Sequence, residues 1–458
     1  MEQRKGRRLV LFPLPFQGHI NPMLQLANIL HSKGFSITVI HTTFNSPDSS
    51  QYPHLTFCPI KGDLSESEAS ISDVVSLLVL LNVRCSDPFR DCLSGLLSEA
   101  SEEEPVACLI SDAVFYFTQG VANGLGLPRF VLRTGGACSF VVFAAFPFLK
   151  DKGYLPVQES KLEELVGEFP PLKVKDLPVV DTKKPEKFCQ LVDRMVNETK
   201  ASSGIIWNTF QELEESALAK LGEELTTRMY PIGPFHNYCP ASSSSLLEQD
   251  RSSIAWLNKQ EPRSVVYVSF GSIAAISEAD FLEIAWGLAN SKHPFLWVVR
   301  CGLVHGNKWL EKLPDRFLED LNGRGHIVKW APQLEVLAHP AIALFWTHSG
   351  WNSTLESICE GVPMMCTPCS GDQKVNARYV SDVWSVGVQV ENGLERETIG
   401  RSIRRLMVEK EGDEIRNRIL CLKEKASLCL SNSGSSFQCL DQLVSHILSV
   451  ESIVFHSH

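Results

Sequence analysis

At 458 residues the chain is too long for one hydrophobic core, because cores stop growing near roughly 250 to 300 residues, and two domains of roughly 200 residues each are expected. A hydrophobic fraction of 44% and a charged fraction of 21% exclude a disordered or fibrous chain. The net charge of −10 excludes nonspecific binding to nucleic acid or an anionic membrane, so any anionic ligand must be held by a local pocket.

The N-terminus sets basic residues ahead of the apolar run LVLFPL (9–14), the outline of a secretory leader. Pro13 and Pro15 and the lack of a small-residue cleavage site favour a first buried strand instead, and with it a cytoplasmic protein. FSITVI (35–40), ACLI (107–110), FVL (130–132) and GIIWN (204–208) read as further strands. Between them, Met23, Leu24, Leu26, Ala27 and Leu30 share one face at a spacing of 3.6, which predicts a helix over 21–32. The most apolar later segments, 74–81 and 140–149, fall well short of the ~20 residues that span a bilayer, so no membrane insertion is expected. Prolines, a glycine and a serine tract in GPFHNYCPASSSSLLEQD (233–250) mark a linker. It divides the chain into an N-terminal domain (1–240) and a C-terminal domain (251–434).

In the second half SVVYVSF (264–270), FLWVV (295–299), HIVKW (326–330), ALFW (343–346) and PMMC (363–366) are strand-like, with helices over 278–289 and 352–360. Phe437, Leu440, Leu443, Val444 and Ile447 give 435–449 a helical apolar pattern. Short apolar runs alternating with helical patterns define an α/β class with parallel sheets wrapped by helices. Ligands of such sheets sit outside the carboxyl ends of the strands, and a cleft between two such domains is where chemistry is expected. The 14 cysteines are scattered and read as reduced thiols. CTPC (366–369) lacks a second pair or a nearby histidine and has no zinc or redox role.

His19 follows the first strand in the turn Gly18-His19-Ile20. An imidazole with an ordinary pKa of about 6.5 is neutral near pH 7 yet basic enough to take a proton from an attacking hydroxyl; the alternative is a surface or structural histidine. Asp112 closes the apolar run ACLIS. A carboxylate there can accept an imidazole N–H and stabilise the imidazolium, or it can cap a helix starting at Ala113. The two roles are compatible.

The stretch from Trp330 to Gln373 holds the other candidates. Trp330 offers a flat face for a base, or a core side chain. His348, Ser349 and Gly350 precede a helix, where N–H groups and the helix dipole suit a diphosphate. Asn352 and Ser353 add side-chain donors, and Gly271-Ser272 forms a second turn of close approach. Taken alone, Gly350 is only a turn and Asn352 only a cap. Glu356, one helical turn on, can hold two ribose hydroxyls or can be a surface carboxylate. Asp372 and Gln373 can hydrogen-bond sugar hydroxyls. No Asp-x-Asp occurs, so no metal is expected, and leaving-group charge falls to His348 and backbone donors.

In this order and spacing the 44 residues from Trp330 to Gln373 resemble the signature of the plant family 1 UDP-dependent glycosyltransferases of secondary metabolism. PFQGHINP (15–22), ASSGIIWNTFQELEE (201–215), SVVYVSFGS (264–272) and FLWVVR (295–300) read like the same family. The phrasing is nearest to the subfamily that includes the steviol-glycoside glucosyltransferases. The resemblance implies a GT-B type fold, two Rossmann-like doubly wound parallel-sheet domains facing a cleft, with a last helix (about 435–458) closing the acceptor-binding N-terminal domain. It implies a catalytic dyad of His19 and Asp112. It further implies UDP-sugar contacts from Gly271, Ser272, Trp330, Gln333, His348, Gly350, Trp351, Asn352, Ser353, Glu356, Asp372 and Gln373, with Thr134 near the sugar.

A final Gln at the place of Gln373 goes with UDP-glucose in that family. The implied reaction is metal-independent inverting transfer of glucose, with UDP-glucose as co-substrate and no cofactor, giving a β-glucoside by a monomeric enzyme. The acceptor class is a small hydrophobic terpenoid or its glycoside, or a phenolic; a carboxylate or ring nitrogen stays open. Gly135 and Gly136 replace the bulkier residues expected in the steviol-type subfamily, so its acceptor is not carried over. Rival readings are another UDP-sugar donor, a non-catalytic metabolite-binding protein, and an NAD-dependent oxidoreductase. A pure binder has no use for a base dyad, and no G-x-G-x-x-G follows a strand.

Overall fold

Two parallel sheets organise the chain in a computed structural model that describes residues 7–450, apart from 62–63, 65–67, 69–72, 102, 183, 239–244, 273–275, 301, 304–312, 314–316, 318–320 and 392. Part of the predicted linker (239–244) and the end of the expected closing segment (451–458) lie outside the described residues.

The first sheet contains β1 (Arg8–Phe12), β2 (Ser36–Thr42), β3 (Thr56–Ile60), β4 (Val106–Asp112), β5 (Arg129–Arg133), β6 (Gly204–Trp207) and β7 (Met229–Pro231), in the order β3-β2-β1-β4-β5-β6-β7. The second contains β8 (Val265–Ser269), β9 (Phe295–Val298), β10 (Gly325–Val328), β11 (Ile342–Thr347), β12 (Met364–Cys366) and β13 (Gly387–Gln389), in the order β10-β9-β8-β11-β12-β13. Every pairing between these strands is parallel. Both orders are doubly wound, and each reverses direction at one point, between β1 and β4 and between β8 and β11. That reversal opens a crevice outside the carboxyl ends of the strands.

Both faces of β1 are buried, which is why LVLF reads as an uninterrupted apolar run. Leu9 and Leu11 pack with Met23, Ala27 and Leu30 of the helix Gln17–Ser32 and with Leu440, Leu443 and Ile447 of the helix Ser435–Ser449. Val10 and Phe12 face the other way, where Phe12 stacks on Phe89 and Phe115 with ring centroids 4.5 Å apart in each pair. In the second sheet Val266 and Val268 pack with Phe281, Ile284 and Leu288 of the helix Glu278–Ser291.

Contacts divide the chain into two compact units. One is Met1–Gln158 with Val179–Leu246 and Leu428–His458; the other is Glu159–Pro178 with Leu247–Ser427. The first helix starts at Gln17, not at residue 21. The apolar face that marks the helix in the sequence begins only at Met23, whereas its first turn carries Gln17, Gly18 and His19. The structure accepts Pro22 inside the helix, with the carbonyl of Phe16 taking N–H bonds from His19 and Ile20 at 2.9 Å each. No described helix is long and apolar enough to cross a membrane.

Candidate functional site

β1 and β4 are neighbours, with Phe12 in register with Ser111, so the segment leaving β1 runs past the end of β4. His19 sits in the first turn of its helix, and Asp112 is the last residue of β4. Their side chains meet with Nδ1 of His19 2.7 Å from Oδ2 of Asp112. Asp112 is fully buried, and its other oxygen accepts the N–H of Val114 at 2.9 Å in a turn; no helix starts at Ala113, since the next one is Phe117–Gly124 with Tyr116 at its cap position, so Asp112 is not a helix cap. Bonding to a carboxylate places the proton of a neutral imidazole on Nδ1 and leaves Nε2 as the basic nitrogen. The His19 side chain is 26% exposed, enough for a reactant to reach it. Oγ1 of Thr134, just past β5, lies 3.0 Å from Nδ1 of His19, which puts this hydroxyl at the dyad.

Glu214 lies within the family-like stretch NTFQELEE, yet no local pattern gives it a role. Its buried carboxylate accepts the N–H groups of Ala137 and Cys138 at 2.9 and 2.8 Å, capping the helix Ala137–Ala144 from another part of the chain. Burial pushes its carboxyl up and the backbone bonds oppose this. To reach that cap, Glu214 leaves helical geometry in its own helix, with φ −120° and ψ 31°.

Gly271 and Ser272 follow β8, and His348, Gly350, Asn352 and Ser353 follow β11, its neighbour in the sheet. The His348 ring is wedged between two glycines: a Cβ on Gly271 or on Gly350 would fall 2.5 Å from its Nε2. Gly271 holds φ +71° and Ser349 holds φ +63°, left-handed values that shape the turns. Burial pushes the imidazole of His348 down to about 4, so it is neutral at physiological pH and meets an anion as an N–H donor, not as a cation. Nδ1 of His348 and Oγ of Ser349 are buried with no protein partner. They adjoin the start of the helix Trp351–Glu360, whose cap is Gly350 with no capping side chain. First-turn N–H groups have no partner within a helix. Together these donors form a cradle suited to an anion. Ser272 follows Gly271 in the adjoining turn, and Asn352 lies in the helix's first turn.

Gln333 opens the short helix Gln333–Leu337 and donates from Nε2 to Oε2 of Glu356 at 2.7 Å and to Oγ of Ser353 at 2.9 Å. Its carbonyl accepts the hydroxyl of Tyr267 at 3.2 Å. Burial pushes the Glu356 carboxyl up to about 7. Trp330 lies two residues past the end of β10 at Val328, not within a strand as the sequence implied. Its carbonyl accepts the N–H of Asp250 at 2.9 Å.

Trp351 is the first residue of the helix Trp351–Glu360. The residue is 3% exposed, and its ring lies 6.3 Å from that of Trp384. Asp372 accepts from Nδ2 of Asn376 at 3.2 Å. Oε1 of Gln373 accepts the N–H groups of Cys369 and Ser370 at 2.9 and 3.2 Å, bracing the CTPCSG loop. Cys366 and Cys369 are free thiols. Arg300, the last residue of FLWVVR, has no role legible in the sequence; it donates from Nε to the Gly271 carbonyl at 2.9 Å and so pins that turn. Among the described residues no group of three or more His, Cys, Asp or Glu is placed to hold a metal ion.

Two doubly wound units of this strand order make up the architecture of a GT-B type glycosyltransferase. The family model described as UDP-glucoronosyl and UDP-glucosyl transferase matches residues 71–414. UDP-glycosyltransferase 76B1 of Arabidopsis thaliana is 52% identical over 450 residues, 98% of this chain and 100% of its own. UDP-glycosyltransferase 76G1 of Stevia rebaudiana is 50% identical over 455 residues, 98% of each chain. The solved structure of Phytolacca americana UGT2 complexed with UDP-2fluoro-glucose and pterostilbene has a TM-score of 0.78 at 29% identity, covering 97% of this chain and 100% of that one. This chain belongs to the plant family 1 UDP-glycosyltransferases, among the relatives of subfamily 76, and is a UDP-glycosyltransferase.

Proposed function

We propose that the enzyme transfers glucose from UDP-glucose to a hydroxyl of a small hydrophobic plant metabolite, without a metal ion and with inversion, forming a β-glucoside. The observation that carries this reading is the His19–Asp112 pair at 2.7 Å. Nε2 of His19 takes the acceptor O–H proton as that oxygen forms its bond to the anomeric carbon. The bond from that carbon to UDP breaks, and UDP leaves with the electron pair. Asp112 stabilises the imidazolium, and the attack from the face opposite the leaving group turns an α-linked donor into a β-glucoside.

Charge developing on the leaving diphosphate is met by the N–H donors around His348 and the helix start, preorganised where charge appears. Trp330 stacks on uracil, Gln333 and Glu356 take the uridine's polar edges, and Asp372 and Gln373 take the sugar. Glucose is favoured by Gln373 and by the likeness to a relative solved with UDP-2fluoro-glucose. A hydrophobic acceptor fits the ring of Phe16, whose centroid stands 6.4 Å from that of His19.

The test is His19→Ala in the purified enzyme. Transfer to an alcohol acceptor should fall by ~10² to 10⁴ while UDP affinity by calorimetry stays unchanged; near-normal turnover would overturn the assignment. A panel of UDP-glucose, UDP-galactose, UDP-xylose and UDP-glucuronate tests the donor, and equal use of all four removes glucose. Incubating a plant metabolite extract with UDP-glucose and reading mass gains of one hexose identifies the acceptor.

A further inference from the structure

The segment Glu159–Pro178 belongs to the second unit, although the chain before it and after it belongs to the first. Leu172, Val174 and Leu177 are fully buried, so the segment is packed into that unit. Its anchor is Asp176, whose carboxylate receives Nε of Arg378 at 2.9 Å and Nη2 at 3.2 Å across 202 residues of sequence. Both side chains are buried, at 1% and 9% exposure. Arg378 also donates to Asp382 and Glu391 at 2.7 Å each. Asp176 is preset by its own turn, since its Oδ2 accepts the N–H of Lys173 at 2.9 Å and its own N–H donates to the Lys173 carbonyl at 2.9 Å.

Arg378 ends the α-helical part Gln373–Arg378 of a short helical run that continues directly into the π-helical turn Tyr379–Val383; Gln373 opens the run and Asp372 precedes it at the cap position. A helix this short does not hold its own geometry; its direction has to come from anchors. Asn376 supplies one by donating to the Ser349 carbonyl at 3.0 Å. The forked guanidinium of Arg378 on Asp176 supplies the other, and a planar fork constrains angle as well as distance.

We propose that Asp176 is a positioning residue for the donor sugar. By gripping Arg378 it sets the angle at which Asp372 and Gln373 are presented, so a segment from the first half of the sequence governs sugar selection in the second unit. This rests on the reading that Asp372 and Gln373 meet the sugar. The uridine and diphosphate contacts belong to other elements, from Gln333 and His348 to Glu356, which separates the two effects experimentally.

Full-length Asp176→Asn and Arg378→Lys variants are compared with wild type and with Gln373→Ala. The readouts are UDP affinity by calorimetry, KM for UDP-glucose, and the kcat/KM ratio of UDP-glucose to UDP-galactose. Both variants should raise KM for UDP-glucose and lower the sugar preference by roughly tenfold to a hundredfold, the scale of a 1 Å misplacement, while UDP affinity is retained. Equal weakening of UDP and UDP-glucose would show a merely structural role and overturn the inference. Unchanged sugar preference in Asp176→Asn, with a shifted one in Gln373→Ala, overturns this inference alone. Unchanged preference in Gln373→Ala overturns the underlying sugar reading. If a single variant fails to fold because it leaves a buried charge unpaired, the double variant Asp176→Asn with Arg378→Gln removes that charge and is read in the same way.

Discussion

Gly271 and Gly350 bracket the His348 imidazole, and they differ in backbone conformation. Gly350 sits at φ −60°, open to any residue, so Gly350→Ala meets only the ring. Gly271 sits at φ +71°, so Gly271→Ala adds backbone strain to the same clash. Each substitution should cost about 1 to 3 kcal/mol as overpacking, with Gly271→Ala the more destabilising; thermal melts measure that order, and calorimetry should show weaker UDP binding in both. Glu356 gives a pH dependence. Its carboxyl is pushed up to about 7, so it is mostly protonated at pH 6 and ionised at pH 8. On the proposed role of Glu356 at the uridine, the ionised carboxylate is the form that accepts from two ribose hydroxyls, so UDP affinity should rise with pH through 7 and binding should release a proton. The carboxylate's contribution is isolated by Glu356→Gln, which should flatten that slope. His19 and Asp112 were legible because each closes a strand-end pattern within a few residues. Glu214, Arg300 and Asp176 were not, because each acts on a partner 29 to 202 residues away, and no local pattern marks such a bond.

At the scale of elements, the helix Ala137–Ala144 shows how one missing local signal is supplied from a distance. Its cap position is Gly136, with no capping side chain of its own, and Glu214 takes that place. Glu214→Ala would leave two buried N–H groups without an acceptor, at about 1 to 3 kcal/mol each, and Glu214→Gln should fall between, since it keeps one carbonyl oxygen. Thermal melts rank the three. Because the capped helix comes just after Thr134, which touches His19, kcat should fall in the same order. The central strands of both sheets were legible as apolar runs, since they are buried on both faces. The edge strands β3, β7 and β13 were missed. β7 and β13 have three residues each, and β3 carries Pro59 with two exposed positions, features that edges tolerate and that blur the pattern.

For the whole molecule, the final helix returns to the first unit. Leu440, Leu443, Val444 and Ile447 are at most 1% exposed within the core that also holds Leu9 and Ile37, and Tyr230 meets His446 at 2.7 Å. Burying four such aliphatic side chains contributes about 1.5 to 3 kcal/mol each, in total on the scale of the roughly 5 to 15 kcal/mol that stabilises a domain. A chain ending at residue 427 should therefore lose the cooperative melt of the first unit, which circular dichroism detects. The sequence by itself determined the α/β class, the central strands and the family, because periodicity, strand-end placement and motif order are local properties. Only the tertiary structure decided which nitrogen of His19 is basic, that Trp351 faces inward, that His348 is neutral, and that residues 159–178 serve the second unit. Those outcomes depend on burial and on partners far away in sequence, and burial is a property of the folded chain alone.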